Sequence, residues 1–272
     1  MELIQQQIVQ VKKNERTNAL KQVKRICKEY DFSAAMLEAG KGVKWIVRVF
    51  ALRMASFLPL NLFKNVLGLI VLAKYFPEIK KSPYFHRRED LWSFVMNEEN
   101  SEKVLFLEFG VHKGYSIKKM ASYNQHPESK FVGFDSFEGL PEDWRNFVKV
   151  YKKNHFDTDG KIPESSDKRI QFVKGWFDRT LPEFLNDFNT NNCNKIIIHL
   201  DADLYSSTLY CLMLLSQYFP KMDIIFDELP GEEARALEDF LAINGGTVLF
   251  QGYASRTSHF PMQVALEYRE RA

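Results

Sequence analysis

The sequence predicts an α/β domain, with a mostly parallel β-sheet covered by helices on both faces, from about residue 96 to residue 272. Short apolar runs alternate there with stretches of helical length, which is the pattern of strands joined by crossover helices. Three of the runs end in an aspartate, as expected where ligands bind at the carboxyl ends of parallel strands. Residues 1–95 lack this alternation and are predicted to form a separate helical extension.

Seven apolar runs are the predicted strands, and four longer stretches between them are the predicted helices. The strands are Val104–Phe109, Phe131–Phe134, Ile170–Val173, Lys195–Leu200, Asp223–Phe226, Thr247–Phe250 and Gln263–Tyr268. The helices are Ser116–Tyr123, Leu181–Phe188, Ser207–Tyr218 and Glu232–Ile243. Before the domain, residues 2–30 read as a polar helix with one apolar face.

Residues 34–75 are the most apolar stretch of the chain, but Lys44, Arg48 and Pro59 interrupt it. No run reaches the roughly 20 uncharged apolar residues that a membrane-spanning helix needs. Two interpretations stay open. The stretch can form helices that pack on the α/β domain or on a second copy of the chain. Alternatively, it can lie at a membrane surface, because basic residues flank its apolar faces.

The two parts of the chain differ in charge. Residues 1–82 hold 15 Lys or Arg and 6 Asp or Glu, whereas the rest of the chain holds 22 and 29. The basic part is therefore expected to face an anionic membrane, an acidic partner or the acidic domain of another copy. The three cysteines are not spaced as pairs and the first 13 residues are polar. These features predict a cytoplasmic protein, with peripheral membrane contact as an option.

The turn after the first predicted strand reads Glu108-Phe-Gly-Val-His-Lys-Gly-Tyr-Ser116. Gly110 and Gly114 allow the backbone to approach a ligand closely, and the following helix offers unpaired N–H groups. The turn lacks the Gly-x-Gly-x-x-Gly pattern of dinucleotide-binding proteins, because Glu108 and Lys113 stand at two of the glycine positions. An acid at the first position suits a cationic ligand such as S-adenosylmethionine, which has an ammonium and a sulfonium group.

The next two strands end in turns that can complete a cofactor site. Asp135 ends the second strand, where an acid can bind ribose hydroxyls, and Ser136 and Phe137 follow it. The alternative for Asp135 is that it merely closes a turn. The third turn, Gly175-Trp-Phe177, supplies two aromatic rings that can hold an adenine or pack in the core.

The stretch from His199 to Thr208, His-Leu-Asp-Ala-Asp-Leu-Tyr-Ser-Ser-Thr, follows the strongest predicted strand. In an extended chain Asp201 and Asp203 would point the same way, and such carboxylates repel unless a cation joins them or one is protonated. Oxygen ligands suit Mg²⁺, and Asp227-Glu228 after the next strand can complete the set. Such an ion would lower the pKa of a bound hydroxyl, and a neighbouring carboxylate can act as a general base. Alternatively, Asp203 only caps the next helix.

Five segments together resemble the macrocin O-methyltransferase family, which includes metal-dependent sugar O-methyltransferases. They are Glu108–Ser116, Phe134–Pro141, Gly175–Pro182, His199–Thr208 and Ile225–Glu228. Gly139–Trp144 and Phe156–Pro163 are also similar to the mobile lid of that family. The similarity covers residues 104 to 268 in the expected order. It implies a Rossmann-like class I methyltransferase fold, with a seven-stranded, mostly parallel sheet whose last strand is antiparallel.

The turns and the resemblance together imply a full set of site residues. The cofactor contacts are Glu108, Phe109, Gly110, Gly114, Tyr115, Ser116, Asp135, Ser136, Phe137, Gly175, Trp176, Phe177 and Asp201. By position, the resemblance implies metal ligands at Asp201, Asp227 and Glu228, and a general base at Asp203. Family members with demonstrated metal use tend to have two aspartates where this chain has Asp227-Glu228, and Glu228 is one methylene longer. Acceptor contacts are expected at Tyr205 and at His155, whose alternative is an exposed loop histidine.

The predicted function is therefore transfer of a methyl group from S-adenosylmethionine to a hydroxyl of a sugar or glycosylated small molecule, assisted by Mg²⁺ or a similar ion. Such an enzyme would serve natural product or polysaccharide biosynthesis, and we expect a homo-oligomer. The alternative is a catalytically silent module that binds a membrane or a partner through its basic N-terminal part. The missing glycine pattern argues against a nicotinamide-dependent oxidoreductase, and the acidic domain argues against a nucleic acid substrate.

Overall fold

The computed structural model describes most of the predicted α/β domain and the part of the chain just before it. The described residues are 60–96, 102–146, 149–187 and 194–271. They belong to one compact unit that begins at Leu60. The predicted helix over residues 2–30, and the apolar stretch up to residue 59, lie outside the described residues.

Helices and strands alternate along the unit. The helices are α1 (Leu60–Ile79), α2 (Arg88–Met96), α3 (Tyr115–Ser122), α4 (Phe177–Asp187), α5 (Tyr205–Leu215) and α6 (Ala234–Asn244). The strands are β1 (Tyr84–Phe85), β2 (Val104–Phe109), β3 (Lys130–Asp135), β4 (Trp144–Arg145), β5 (Val150–Tyr151), β6 (Ile170–Lys174), β7 (Lys195–Leu200), β8 (Lys221–Phe226), β9 (Thr247–Ala254) and β10 (Gln263–Arg269). An irregular turn, Leu229–Glu233, precedes α6.

The main sheet has the strand order β6-β3-β2-β7-β8-β10-β9-β1. Strand β10 is antiparallel to both of its neighbours, and the other pairs are parallel. All seven predicted strands are present in it, so the predicted Rossmann-like class I methyltransferase fold is confirmed. The sheet has an eighth strand that the sequence did not mark. It is β1, which pairs Tyr84 with Tyr253 at the β9 edge.

The central strands are apolar at most positions because both faces of the sheet are covered. All six residues of β2 are buried. Leu105, Leu107 and Phe109 belong to the core on one face, together with residues of α4, α5 and α6. Val104 and Phe106 belong to the core on the other face, with residues of α2 and α3. Each fully buried Leu or Phe contributes about 1.5–3 kcal/mol of burial free energy, which strongly favours this register over one that exposes them.

Residues 60–96 are built into this unit. Helix α1 packs on α6, where Lys74 and Tyr75 both hydrogen-bond to Glu238. In α2, Leu91 and Trp92 are fully buried. No helix in the described part of the chain is both long and apolar enough to cross a membrane.

Candidate active site

The carboxyl ends of β2, β7 and β8 lie side by side at one edge of the sheet. The ladder of hydrogen bonds continues past the strands, since Asp201 N donates to Phe109 O and Asp227 N donates to Leu200 O, both at 2.9 Å. Gly110 has a φ of 94°, and a Cβ there would lie 2.0 Å from Asp201 O. A side chain at this position would therefore force the cofactor turn away from Asp201.

A cavity of about 810 Å³ lies over this edge. The structure brings nine of the predicted site residues together in its wall: Gly110, Asp135, Ser136, Trp176, Phe177, Asp201, Asp203, Asp227 and Glu228. The predicted cofactor turns and the predicted acids thus face one space.

Other predicted site residues do not line the cavity: Glu108, Phe109, Gly114, Tyr115, Ser116, Phe137, His155, Gly175 and Tyr205. Phe109 and Phe137 are buried in the core. Gly114 is the N-cap of α3, where its φ of 72° suits glycine. The Tyr115 hydroxyl points outward and donates to Glu89. These positions support the turns beneath the cavity.

Asp135 both closes the cofactor turn and faces the cavity. Its Oδ2 accepts the N–H groups of Val111 and His112, each at 2.8 Å, and its Oδ1 accepts that of Phe137 at 2.7 Å. A carboxylate offers about four lone-pair positions, so one remains for a ligand. The two interpretations of Asp135 from the sequence are therefore compatible.

Glu108 lies one layer below the cavity. Its Oε1 is 2.8 Å from Nδ1 of His199, and both side chains are buried. Among the described residues, Glu108 Oε2 and His199 Nε2 have no hydrogen-bond partner. His199 Nε2 is 3.9 Å from Asp227 Oδ1. The pair therefore links the first cofactor turn to the acid that follows β8.

Asp203 is not a helix cap. Helix α5 begins after Leu204 without a side-chain cap in the described part of the chain, and the N–H of Tyr205 donates to Glu232 Oε2 at 3.0 Å. The prediction of an extended backbone at Asp203 is wrong, because its φ is 59°. This left-handed turn still leaves the side chain facing the cavity.

Four carboxyl groups in or near the cavity have raised pKa values. Burial, and then repulsion from Asp227 among the neighbouring carboxylates, raises the pKa of Asp201 and Asp203 well above the usual range. The same two causes raise the pKa of Glu228 to about 7. They also raise the pKa of Glu233, which sequence reasoning missed, well above its ordinary value. Such groups hold protons or need a nearby cation.

These acids have the donor atoms of a magnesium site but are not gathered around one point. Across the described residues, no three His, Cys, Asp or Glu side chains are close enough to hold a metal ion. The guanidinium of Arg88 lies 3.8 Å from Asp227 Oδ1, and its side chain is 45% exposed. Asp227 also accepts a short hydrogen bond from Gln263.

The aromatic rings of Trp144, Tyr151 and Phe156 and the imidazole of His112 line the same cavity as the acids, and Trp144 also borders a smaller pocket together with Asp203 and Glu228. The rings of Trp144 and Tyr151 stack with centroids 4.7 Å apart, and Tyr151 stacks on Phe156 at 5.7 Å. His112 meets Phe156 edge-on at 5.8 Å. Burial, and secondarily Lys113, lowers the pKa of His112. This aromatic wall gives the cavity apolar surface beside its acids.

The first segment that resembles a lid, Gly139–Trp144, contacts the residues just before the second one. Leu140 N donates to His155 O and Asn154 N donates to Leu140 O. A Cβ at Gly139 would lie 2.5 Å from His155 O, so the two stretches touch backbone to backbone. The His155 ring packs on Tyr151 at 4.9 Å and does not line the cavity.

Helix α5 adds cavity residues that the sequence analysis overlooked. Ser206, Ser207 and Tyr210 line the cavity, and the i, i+4 spacing of Ser206 and Tyr210 could have identified this face. Tyr205 was predicted instead, but its hydroxyl donates to Asp239 at 2.6 Å. Asp178 and Arg179 of α4 complete the set at the cofactor end.

Comparisons with known proteins agree with this architecture. Residues 87–245, more than half of the chain, match the family described as macrocin-O-methyltransferase (TylF). A comparison with curated proteins finds no match. Among solved structures, the chain is similar to an O-methyltransferase from Bacillus cereus in complex with SAH, at 14% identity, covering 79% of this chain and 93% of that one, with a TM-score of 0.44.

Two further solved structures are similar. The O-methyltransferase TomG from Streptomyces achromogenes, involved in tomaymycin synthesis and solved with SAM, is 11% identical over 81% of this chain and 95% of that one, with a TM-score of 0.41. The methyltransferase PaMTH1 from Podospora anserina, bound to SAH, is 16% identical over 85% and 97%, with a TM-score of 0.40. On the family match, the chain belongs to the macrocin-O-methyltransferase family and is an S-adenosylmethionine-dependent O-methyltransferase.

Proposed function

We propose that the enzyme methylates a hydroxyl of a sugar or glycosylated small molecule, with Asp203 as general base and a divalent cation held by Asp201, Asp227 and Glu228. The observation that carries the proposal is that one cavity is lined both by residues of the cofactor turns and by the acids.

The cofactor end suits the parts of S-adenosylmethionine. The remaining lone-pair position of Asp135 can accept a hydrogen bond from a ribose hydroxyl. Trp176 and Phe177 present aromatic rings for the adenine, and Trp176 is 40% exposed. Gly110 lets the first cofactor turn lie against Asp201, whose carboxylate would favour the ammonium and the sulfonium of the methionine part.

The acceptor end suits a ring with an apolar face and a polar edge. Pyranose rings have this character, because their C–H groups form faces and their hydroxyls project from the edge. Tyr151 and Phe156 offer apolar surface to such a face, while Ser206 and Ser207 can hydrogen-bond to hydroxyls across the cavity.

Methyl transfer forms an oxygen–carbon bond and breaks the sulfur–carbon bond, so the sulfonium becomes a neutral thioether. The acceptor hydroxyl must lose its proton, and Asp203, which lines the cavity, would take it. Holding acceptor oxygen and methyl carbon in line would supply much of the rate, since both partners would be bound in one cavity.

The donor chemistry of the acids supports a cation. Asp201, Asp227 and Glu228 supply hard oxygen ligands, and the pKa of Asp201 and of Glu228 is raised by burial and then by repulsion from Asp227, which a bound ion would relieve. When bound, a divalent ion would make the acceptor hydroxyl more acidic. Glu228 can ligate despite its extra methylene.

The sequence supports three further parts of the proposal. The basic residues 1–82 would contact an acidic surface, either of another copy in a homo-oligomer or of a membrane. A cytoplasmic location would fit the three cysteines, which are not spaced as pairs in the sequence. A boundary near residue 95 would mark where the alternation of strands and helices begins, with α1 and α2 before it as helical additions to the same compact unit.

Methyl-labelled S-adenosylmethionine tests the proposal directly. We expect transfer of label to glycosides that have free hydroxyls, and a loss of transfer in excess EDTA that added Mg²⁺ restores. Product formation would be measured by mass spectrometry over a panel that includes simple phenols and an oligonucleotide as controls.

The assay can contradict the cation, the sugar acceptor and the catalytic activity separately. Full activity in excess chelator would contradict a role for the cation in the reaction, and Asp203 would remain a candidate base. Transfer to phenols but to no glycoside would contradict the sugar acceptor. Binding of the cofactor without transfer to any acceptor would favour the silent module.

A further inference from the structure

We propose that helix α1 positions the active-site acids, and that Gly68 is the residue through which it acts. A Cβ at Gly68 would lie 2.2 Å from the carbonyl oxygen of Gly231 and 2.4 Å from its Cα. The two backbones are therefore in direct contact, with no space for a methyl group between them. The inference rests on the catalytic role proposed above for the acids.

Gly231 lies in the Leu229–Glu233 turn, which directly follows Glu228. The chain leaves helical geometry at Pro230, and Gly231 has a φ of 110° and a ψ of −121°. Such a φ favours glycine, whose many accessible conformations do not by themselves select this one. Neighbours must therefore fix the turn. Helix α1 contacts it on one side, and Leu229 N donates to Met262 O at 2.9 Å on another.

The turn in turn holds two of the acids. Glu233 Oε2 accepts the N–H of Glu228 at 3.2 Å, which fixes the backbone of a proposed metal ligand. Glu232 Oε2 accepts the N–H of Tyr205, two residues after Asp203. A shift of the turn would therefore move Glu228 and the segment of the proposed base together.

The cofactor turns have independent support. Gly110 N donates to Phe134 O at 3.0 Å, and the Asp135 carboxylate closes the turn after β2. Both lie on the far side of β7 from β8 and the Leu229–Glu233 turn. A change at Gly68 should therefore displace the acids but not the cofactor turns, so that catalysis is impaired and cofactor binding is retained.

Gly68→Ala in the full chain tests the inference. We expect kcat to fall about tenfold to a hundredfold, as for a misplacement of about 1 Å, with the Kd for S-adenosylhomocysteine changed less than about twofold. Steady-state kinetics with a glycoside that accepts label in the assay described above give kcat, calorimetric titration gives the Kd, and thermal unfolding shows whether the variant is folded.

A second variant covers the case in which Gly68→Ala does not fold. Lys74→Ala combined with Tyr75→Phe removes the hydrogen bonds from α1 to Glu238 without adding an atom. A smaller fall in kcat is expected, again at unchanged cofactor affinity. The control is Lys81→Ala. Lys81 lies just after α1 and forms an exposed ion pair with Glu78, and its loss should leave kcat unchanged.

Three results would overturn the inference. The first is a folded Gly68→Ala protein with the kcat of the wild type. The second is a Gly68→Ala protein that loses kcat and cofactor affinity in parallel. The third applies where Gly68→Ala does not fold, and is a double variant with the kcat of the wild type. Absence of transfer by the wild type would instead count against the proposed function. The two failures are thus distinguishable.

Discussion

Asp203→Asn is expected to lower kcat by roughly 10²–10⁴-fold, the usual contribution of a general base. Asparagine is nearly isosteric and is among the residues that tolerate a left-handed backbone, so the φ of 59° can be kept. The change removes only the ability to accept the proton. Cofactor affinity should stay the same, since Asp203 is not among the expected cofactor contacts.

Thermal unfolding separates this effect from a structural one. Folding raises the pKa of Asp203 because burial and then Asp227 disfavour its charge. The stability it contributes is therefore present below its unfolded pKa and is lost as the pH rises through the folded value. Asp203→Asn should unfold at the same or a higher temperature than the wild type at neutral pH, with less gain at acidic pH.

The matched control is Asp159→Asn. Asp159 has a φ of 56°, close to that of Asp203, but its side chain is 84% exposed outside the cavity. It should leave kcat and stability unchanged. In the wild type, kcat should fall as the pH is lowered, because protonated Asp203 cannot accept a proton. A wild-type kcat in Asp203→Asn would exclude Asp203 as the base.

Asp135→Ala is expected to weaken binding of S-adenosylhomocysteine about tenfold to a hundredfold. A hydrogen bond to a charged group is worth about 1.5–3 kcal/mol, and each 1.4 kcal/mol is a factor of ten. The variant also leaves the N–H groups of Val111, His112 and Phe137 without their acceptor. Calorimetric titration well below the unfolding temperature measures the affinity.

Glu138→Ala provides the control for Asp135. Glu138 is an acid three residues further on, and its carboxylate is 61% exposed, 3.9 Å from Lys174. Its removal should leave the affinity unchanged. An Asp135→Ala protein that binds as tightly as the wild type would show that the carboxylate has no part in cofactor binding.

Much of the fold could be predicted because buried parallel strands are apolar at nearly every position. The predicted bounds of β2 and β7 agree with the structure. Strand β1 was missed because two residues give no periodicity. Helix α4 begins at Phe177, four residues before the predicted start. Proline is typical of the first turn of a helix, so Pro182 favoured the later start, but in the structure it lies inside the helix.

Part of the site could be predicted for the same reason. Asp201 and Asp227 follow the neighbouring strands β7 and β8, and Asp135 ends β3, which only β2 separates from β7, so the sheet itself brings them to one edge. Other parts depend on how distant segments fold back. Glu233 reaches the acids through the unusual backbone of Gly231. The aromatic wall depends on the hydrogen bonds of Leu140 with Asn154 and His155, which local sequence does not reveal.

A crystal structure of the enzyme with S-adenosylhomocysteine and Mn²⁺ tests the central claim most directly. The claim is that cofactor and acids share one cavity. The result we predict places the ribose at Asp135 and the sulfur beside Asp201 and Asp203, with an ion joining Asp201 to Asp227 and Glu228. S-adenosylhomocysteine bound away from these residues would contradict it.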